Sequence, residues 1–355
     1  MKIKLSTSTR LIILLLVVLL ILSGFAAVCY YVDPTCHFHA PLAGHNYTNG
    51  YPFYLNDGII RQYDFTGIIT GTSMTENFKT SEAEQLFGGS FIKIPLSGTA
   101  FPETTDQLKR AYRRGKSPQY VIRSLDIASI IMGKDECSRD LAAFDYLYND
   151  LPFDDIKYLL NLEVFCKYTL DVYLDRIGED KPPIDFDRYC SWDLPTGKEI
   201  VLDCYSFSNF AIKESVLSPE DRERITENIR CNITDIAYEH PETTFICFYP
   251  PYSIVSWAVA ARQNVLHSFI DCMKIAAEEM LKCPNIRLFG FYDHYDITCD
   301  LNNYKDTTHY SSAINSRLLK YMSEDVSLLT PENYLDYFDR IEQFYSGYDY
   351  EGLFK

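Results

Sequence analysis

Three residues of this sequence have the types and surroundings that nucleophilic catalysis requires. Ser73 follows the apolar run Gly67–Thr70 and the turn residue Gly71, and a glycine at such a turn lets the backbone bend sharply. A serine hydroxyl is a poor nucleophile until a neighbouring base removes its proton. Such a base stands far along the chain, where Asp306 and His309 are three residues apart just before a helical pattern.

An acid and a histidine at this spacing can face one cleft. There the acid holds the imidazole tautomer while the imidazole accepts the serine proton. Each half of the pattern also has a structural alternative, since Ser73 suits a helix cap and Asp306 could cap the helical stretch Ser311–Met322. The order Ser, then Asp-x-x-His, predicts a triad with Ser73 as nucleophile, His309 as base and Asp306 orienting that base.

The elements that must position these residues follow from the apolar pattern. Short β-branched or aromatic runs predict strands at Phe65–Thr70, Phe91–Leu96, Tyr120–Leu125, Thr243–Tyr249 and Ile286–Phe291. Stretches of helical periodicity lie at Thr104–Arg114, Pro219–Tyr238, Trp257–Leu281 and Tyr334–Phe344. This alternation predicts an α/β fold, a three-layer α/β/α sandwich around a five-stranded, mainly parallel sheet.

One large domain with an insertion is the expected organisation, because no Gly/Ser-rich or Pro-rich linker and no internal repeat divides the chain. The domain is predicted over residues 63–325. Residues 133–240 between its third and fourth strands are mostly helical and are predicted to be the insertion, being too long for a simple crossover. Residues 33–62 are expected to be a juxtamembrane segment, and residues 326–355 a last helix and tail.

The N-terminus carries the pattern of a membrane anchor. Three basic residues within 1–10 precede an apolar run over 11–32, which is about the 20 residues that a membrane-spanning helix needs. The positive-inside bias predicts a single-pass protein of the cell membrane, with residues 1–10 in the cytoplasm and the bulk of the chain outside. A signal peptide cleaved near Phe25 is the competing interpretation, although the apolar run exceeds a usual signal core.

Composition excludes some classes of function. A formal net charge of −16 argues against nucleic-acid binding, which needs a basic surface. The eleven cysteines include no C-x-x-C pair, and we expect mostly buried free thiols with one or two disulfides as the alternative, since disulfides are permitted outside the cytoplasm. His37, His39 and His45 lack cysteine or acidic partners at ligand spacing, so the sequence predicts no metal. No cofactor is expected either.

Three short motifs resemble a known family. Gly71-Thr72-Ser73, the glycine Gly98 and the stretch Asp306–His309 resemble the first, second and last blocks of the SGNH (GDSL-like) hydrolase superfamily. The likeness extends to its membrane-anchored branch, which includes the D-alanyl transfer protein of teichoic-acid modification and polysaccharide O-acetyltransferase accessory proteins. The resemblance implies a five-stranded parallel sheet, the triad named above, and oxyanion stabilisation by the backbone N–H groups of Met74 and Gly98.

Two departures from the family pattern bear on the site. Gly-Asp-Ser is replaced by Gly-Thr-Ser, and no Gly-x-Asn-Asp block follows a strand, so one oxyanion donor is unassigned. Asn77, one helical turn after Ser73, either supplies that donor or lies on the helix surface. Asp126 after the third strand is expected either to face substrate or to be a buried cap. Tyr252 and Ser253 after the fourth strand are further candidates for substrate contact.

The predicted chemistry is ester chemistry outside the membrane. Ser73 would attack an acyl carbonyl, and water or a sugar or polyol hydroxyl would then take the acyl group. The expected function is acyl transfer or deacylation on a cell-surface glycan or wall polymer. A multi-span membrane O-acyltransferase is the expected partner by family analogy. The alternatives are a simple carbohydrate esterase and, in a different class, a non-catalytic anchored scaffold that binds a glycan or such a partner.

Overall fold

The chain forms two units that alternate along the sequence. The computed structural model describes residues 6–192, 194–205 and 213–354. The first unit combines the residues up to Tyr63 with Leu141–Asp185. The second unit, which is larger, contains Asp64–Asp140 and the chain from Phe186 onward.

A single sheet organises the second unit. Its strands are β1 (Gly67–Thr70), β2 (Phe91–Lys93), β3 (Tyr120–Ser124), β4 (Thr244–Tyr249), β5 (Ile286–Gly290) and β6 (Leu328–Leu329). Their spatial order is β2-β1-β3-β4-β5-β6. The first five strands are parallel, and the two-residue β6 is antiparallel to β5. The predicted α/β fold on a mainly parallel sheet is therefore confirmed, with one short edge strand added.

Helices make up most of the remaining described chain. The α-helices are α1 (Thr7–Val32), α2 (Pro52–Gln62), α3 (Thr80–Phe87), α4 (Phe101–Arg113), α5 (Ile127–Ile130), α6 (Asp145–Tyr148), α7 (Ile156–Leu159), α8 (Leu170–Leu174), α9 (Lys198–Tyr205), α10 (Pro219–Ile229), α11 (Asp235–Glu239), α12 (Ile254–Arg262), α13 (Leu266–Met280), α14 (Tyr295–Thr298), α15 (Ser312–Ser323) and α16 (Tyr334–Ser346). Short 3₁₀ segments lie at Ser73–Thr75, Ala142–Phe144, Leu301–Asn303 and Tyr350–Phe354. Single-turn π segments lie at Val164–Thr169 and Arg230–Thr234.

The strand order explains why helices cover both faces of the sheet. The chain moves outward from β1 to β2 through α3 and then returns through α4 to β3 on the other side of β1. Right-handed crossovers in opposite directions place α3 and α4 on opposite faces. Helix α3 packs with α15, while α5, α10 and α13 pack together as a second group. The direction of winding reverses between β1 and β3, and sheets of this kind bind ligands at the carboxyl ends of such strands.

Two stretches with one continuous helical pattern are broken in the structure. The predicted helix Pro219–Tyr238 consists of α10, a π segment and α11. The predicted helix Trp257–Leu281 is divided into α12 and α13, and Asn264 between them has a φ of +58°. Asparagine tolerates this left-handed conformation better than most residues. The apolar period continues across the break, so the period alone could not show it.

Aromatic rings fill the core beside α12. Trp257 stacks face to face on Tyr345 of α16, with ring centroids 3.7 Å apart. Phe269 and Tyr292 meet the same indole edge-on at 4.7 Å and 5.1 Å. Aromatic pairs in these arrangements contribute beyond the area they bury. Trp257 therefore holds α12 against the C-terminal helix.

The cysteines are free thiols. All eleven lie within the described residues, and none of them is paired in a disulfide. Buried cysteines are Cys29, Cys36, Cys247, Cys272 and Cys283, whereas Cys137 and Cys166 are exposed. Burial raises the pKa of Cys247 to about 12, so this thiol packs as a small apolar group rather than reacting as a thiolate.

The first unit contains the N-terminal helix and a small aromatic core. Tyr54 of α2 packs with Tyr146, Leu147, Tyr158 and Val164 of the segment Leu141–Asp185. Within the described chain, α1 is long and apolar enough to cross a membrane, although a signal sequence passes the same test. Helix α1 ends at Asp33, whose buried carboxylate accepts hydrogen bonds from the backbone N–H groups of His37, Phe38 and His39.

Trp257→Ala is expected to lower the free energy of unfolding by about 3–5 kcal/mol, because it opens a large cavity between packed rings. Guanidinium denaturation of the full chain in detergent measures the shift. Leu335→Ala on the exposed side of α16 is the control and should change stability by less than about 0.5 kcal/mol. Equal shifts in the two variants would contradict the role given to Trp257.

Candidate active site

Ser73, His309 and Asp306 form a continuous chain of hydrogen bonds. The Oγ atom of Ser73 lies 2.7 Å from Nε2 of His309, although the two residues are 236 positions apart. On the other side of the ring, Nδ1 of His309 lies 2.6 Å from Oδ2 of Asp306. The fold thus brings together the three residues that the sequence assigned to a triad, in the order nucleophile, base and acid that such a triad needs.

A glycine shapes the turn that presents Ser73. Gly71 has a φ of +140°, and a Cβ atom there would clash with the Oγ atom of Ser124 at the end of β3. Only glycine combines this backbone conformation with so close an approach. The chain can therefore turn sharply out of β1, and Ser73 begins a 3₁₀ segment directly above the strand end.

Asp126 holds the same turn in place through hydrogen bonds. Its carboxylate accepts hydrogen bonds from the hydroxyls of Thr72 (2.7 Å), Tyr252 (2.9 Å) and Ser124 (3.0 Å). Burial raises the pKa of Asp126, and these three hydrogen bonds oppose the rise. Asp126 and Tyr252 are both buried, and neither is among the residues that line the described cleft. These hydrogen bonds agree with the buried-cap alternative for Asp126, and a contact of either residue with substrate stays a prediction.

Asp306 is held in a compact turn that keeps it charged. Its Oδ1 atom accepts hydrogen bonds from the backbone N–H groups of Thr308 and His309, each at 2.8 Å. Burial by itself would raise the pKa of Asp306. The hydrogen bond and charge of His309, together with the two backbone N–H groups, outweigh burial and lower this pKa to about 2. A carboxylate is therefore present at neutral pH to orient the imidazole.

Hydroxyl groups at the start of α12 hold the turn that carries Asp306 and His309. The carbonyl of Thr307 accepts hydrogen bonds from the hydroxyls of Ser253 (2.7 Å) and Ser256 (2.5 Å). Ser253 is fully buried and also caps α12 by accepting from the N–H of Val255. Ser253 therefore helps to fix the turn, and its contact with substrate stays a prediction.

A narrow cleft opens beside the nucleophile. Its walls come from the Ser73 turn, the His309 turn, α15 and the segment that precedes α9. The lining residues are Ser73, Met74, Asn77, Trp192, His309, Tyr310 and Asn315. The indole of Trp192 meets the imidazole of His309 edge-on, with ring centroids 5.2 Å apart. Trp192 therefore forms the wall next to the base.

Asn77 is buried rather than exposed on a helix surface, and its role as an oxyanion donor stays a prediction. Its side chain is 7% exposed, and its Oδ1 atom accepts a hydrogen bond from the backbone N–H of Trp192 at 3.0 Å. That bond turns the Nδ2 group away from Trp192. Among the described residues Nδ2 has no acceptor, and it belongs to a side chain that lines the cleft with Ser73. Asn77 can thus donate a hydrogen bond to a bound oxygen.

The two backbone donors expected from the family resemblance differ in position. The N–H of Met74 points to the hydroxyl of Thr72 in a long hydrogen bond of 3.4 Å, and Met74 lines the cleft. Gly98 is exposed and has a φ of +66°. Gly98 is not among the residues that line the described cleft, so a contact of its N–H with an oxyanion stays a prediction.

Three supporting residues were missed by sequence reasoning. Asn315 donates from Nδ2 to the carbonyl of Met74 at 3.2 Å and so ties α15 to the nucleophile turn. Glu76 accepts from the indole N–H of Trp192 at 2.7 Å, and burial raises the pKa of Glu76. Lys93 is fully buried beneath the site. Of these three, only Lys93 could have been noticed in the sequence, as a charged residue within an apolar strand. Asn315 and Glu76 contact partners that are distant in sequence, so no local pattern marks them.

Comparisons with known proteins leave the family open. No family model and no curated protein matches the chain. Among solved structures, an acetyl xylan esterase from the rumen bacterium Butyrivibrio proteoclasticus is similar over 77% of this chain and 64% of that protein, with 8% sequence identity and a TM-score of 0.31. The chain thus spans less than two thirds of that protein, and a likeness this weak carries no inference about chemistry.

Asp306 makes the chain's stability depend on pH in a defined direction. Its pKa of about 2 in the folded chain lies below the value of roughly 3.9 for an unfolded aspartate. The stabilisation is complete above the unfolded value and is lost as the pH falls from about 4 to about 2. The denaturation midpoint, measured between pH 5 and pH 2, should therefore fall less steeply in Asp306→Asn. Parallel curves for the two proteins would contradict the assignment.

Proposed function

We propose that the chain is a serine-dependent ester hydrolase or acyltransferase, with Ser73 as nucleophile, His309 as general base and Asp306 as the residue that orients it. The unbroken hydrogen-bond chain between these three residues supports this proposal most strongly. It lies at the carboxyl ends of parallel strands, where such sheets bind ligands.

The first half of the proposed reaction forms an acyl-enzyme. The Oγ atom of Ser73 attacks the carbonyl carbon of an ester while Nε2 of His309 takes the hydroxyl proton. The carbonyl oxygen becomes an oxyanion, and the imidazolium is stabilised by the carboxylate of Asp306. The ester C–O bond then breaks, and the departing oxygen takes the proton from His309. The acyl group remains on Ser73 as an ester.

Asn77 is the proposed side-chain donor to the oxyanion. Asn77 lines the cleft with Ser73, and the hydrogen bond from the backbone N–H of Trp192 fixes the orientation of its amide before substrate binds. A donor that is already oriented stabilises developing charge without reorganisation cost at the moment of reaction. The N–H of Met74 is the proposed backbone donor, since its bond to Thr72 is long enough to be exchanged for a stronger one.

The second half of the proposed reaction transfers the acyl group to an oxygen nucleophile. His309 removes a proton from water or from a sugar hydroxyl, and that oxygen attacks the acyl-enzyme. The oxyanion forms again and collapses, and Ser73 leaves with the proton returned by His309. Water gives an esterase, and a sugar or polyol hydroxyl gives an O-acyltransferase.

A cell-surface glycan or wall polymer is the proposed acceptor, and the proposed location is the outer side of a cell membrane. The basic residues before α1 support this orientation. The face of α1 formed by Phe25, Cys29 and Val32 packs inside the first unit. A helix that is part of a folded unit is expected to be retained as an anchor. A multi-span O-acyltransferase that passes acyl groups across the membrane is the proposed partner, by family analogy.

The triad is tested first with a fluorophosphonate probe. The probe should add its mass to the full chain in detergent, and the adduct should be absent from Ser73→Ala and from His309→Ala, because an activated hydroxyl requires both residues. Ser117→Ala is the control, since that serine is exposed and does not line the described cleft, so this variant should still carry the adduct. Failure of the folded, unmodified chain to react would reject the enzyme and favour the non-catalytic scaffold.

Asn77→Ala and Asn77→Asp should each lower kcat for p-nitrophenyl acetate by roughly 10²–10³ with little change in KM, because an oxyanion donor acts in the transition state. Asn77→Asp keeps an oxygen acceptor for the Trp192 N–H. A comparable loss of kcat in both variants therefore cannot come from loss of that structural hydrogen bond. Asn302→Ala, an exposed asparagine outside the cleft, is the matched control. A kcat within about twofold of the unmodified chain in both variants would remove Asn77 from the mechanism.

A further inference from the structure

The segment Leu141–Asp185 carries large apolar side chains that the first unit leaves exposed. Phe153 is 94% exposed, Leu174 73% and Leu162 68%. Leu170, Tyr173 and Leu174 are three and four residues apart on α8 and so share one helix face. Exposed apolar side chains that share a face mark a surface that meets lipid or another protein. We call this set the insertion face, and it consists of Leu151, Phe153, Ile156, Leu162, Leu170, Tyr173 and Leu174.

The same segment is attached to the end of α1 at three levels. The contacts are a stack of Phe165 on Phe25 (4.2 Å between centroids), a hydrogen bond from Thr169 to the Cys29 thiol (3.9 Å) and a hydrogen bond from Tyr158 to Asp33 (2.8 Å). The α1 residues are spaced four apart, and helix residues at that spacing lie on one face. The segment therefore runs beside the last two turns of the helix.

The length of α1 sets the depth of these contacts. A helix needs roughly 20 residues to cross the hydrocarbon core, so a span that begins at Leu11 ends near Tyr30. Tyr30 and Tyr31 are exposed, as tyrosines at a lipid–water boundary are. Phe25 lies about 8 Å before that boundary at 1.5 Å per residue. The part of the segment that stacks on Phe25 therefore reaches the depth of the acyl chains.

The charge of the segment Leu141–Asp185 favours neutral lipid as the partner of the insertion face. The segment contains more acidic than basic residues, so anionic headgroups would repel it. Several of its acidic side chains are paired within the unit. These pairs are Asp155 with His37 (2.9 Å), Glu163 with Lys167 (2.8 Å) and Asp175 with Asn46 (2.8 Å). Burial of apolar area, rather than attraction between charges, would drive the contact.

We propose that the insertion face docks into the boundary of the bilayer that α1 spans, with its apolar side chains among the upper acyl chains. This inference rests on the proposed retention of α1 as a membrane anchor. The exposed apolar side chains of α1 need lipid around them. Since the segment runs beside that helix, the same lipid is continuous with the insertion face. The first unit is thus a monotopic element fused to a membrane span.

Tryptophan quenching in the full chain tests this docking. The two native tryptophans both lie in the second unit and provide a constant background. Leu162→Trp and Phe153→Trp place a new fluorophore on the insertion face, and the use of two variants guards against misfolding of one. The proteins are reconstituted in phosphatidylcholine vesicles with or without bromine on the acyl chains. Leu16→Trp in the middle of α1 reports the span, and the exposed Leu335→Trp on α16 is the matched control.

Brominated lipid should quench most of the added fluorescence of Leu162→Trp, Phe153→Trp and Leu16→Trp, and little of that of Leu335→Trp. The quenching should be unchanged when anionic lipid is included or salt is raised. Quenching of Leu16→Trp alone would overturn the docking while the anchor stands, and would leave a protein partner as the occupant of the insertion face. Absence of quenching at all positions would overturn both the anchor and the docking.

Discussion

The geometry of the site depends on the hydrogen bonds that the buried side chain of Lys93 donates. Its Nζ atom donates to the carbonyls of Glu76 (2.6 Å) and Phe78 (2.9 Å) and to the hydroxyl of Ser191 (3.0 Å). A charge removed from water must be solvated by the protein, so these acceptors cannot move away without a large free-energy cost. One side chain of β2 therefore ties the turn after the nucleophile to the segment that delivers Trp192.

The candidate triad is held in place by groups that do not line the described cleft. Asp126 accepts hydrogen bonds from three hydroxyls at the turn that carries Ser73. Two hydroxyls at the start of α12 donate to the carbonyl of Thr307, in the turn that carries Asp306 and His309. Asp126 follows β3 and α12 follows β4, so both turns are supported from the carboxyl ends of strands of one sheet.

The first unit joins an apolar helix, α1, to a folded segment of the chain. Asp33 ends α1 in a left-handed conformation and accepts a hydrogen bond from Tyr158 of the inserted segment. The apolar helix and the folded polypeptide therefore share one buried carboxylate, and burial raises its pKa. Helix α1 thus packs within the first unit along its last turns, which supports the proposal that it is retained as an anchor.

The sequence by itself determined the strands, the apolar N-terminal helix and the candidate triad. The strand Tyr120–Ser124 was predicted to within one residue because a short β-branched run bounded by turn residues favours a buried strand. Ser73, Asp306 and His309 could be named as a candidate triad because few residue types supply a nucleophile, a base and an orienting acid. Only the tertiary structure decided that Asn77 is buried and lines the cleft, with its side chain held by the backbone of Trp192, 115 positions away. Contacts between distant segments leave no local pattern, because they depend on which surfaces meet when the chain folds.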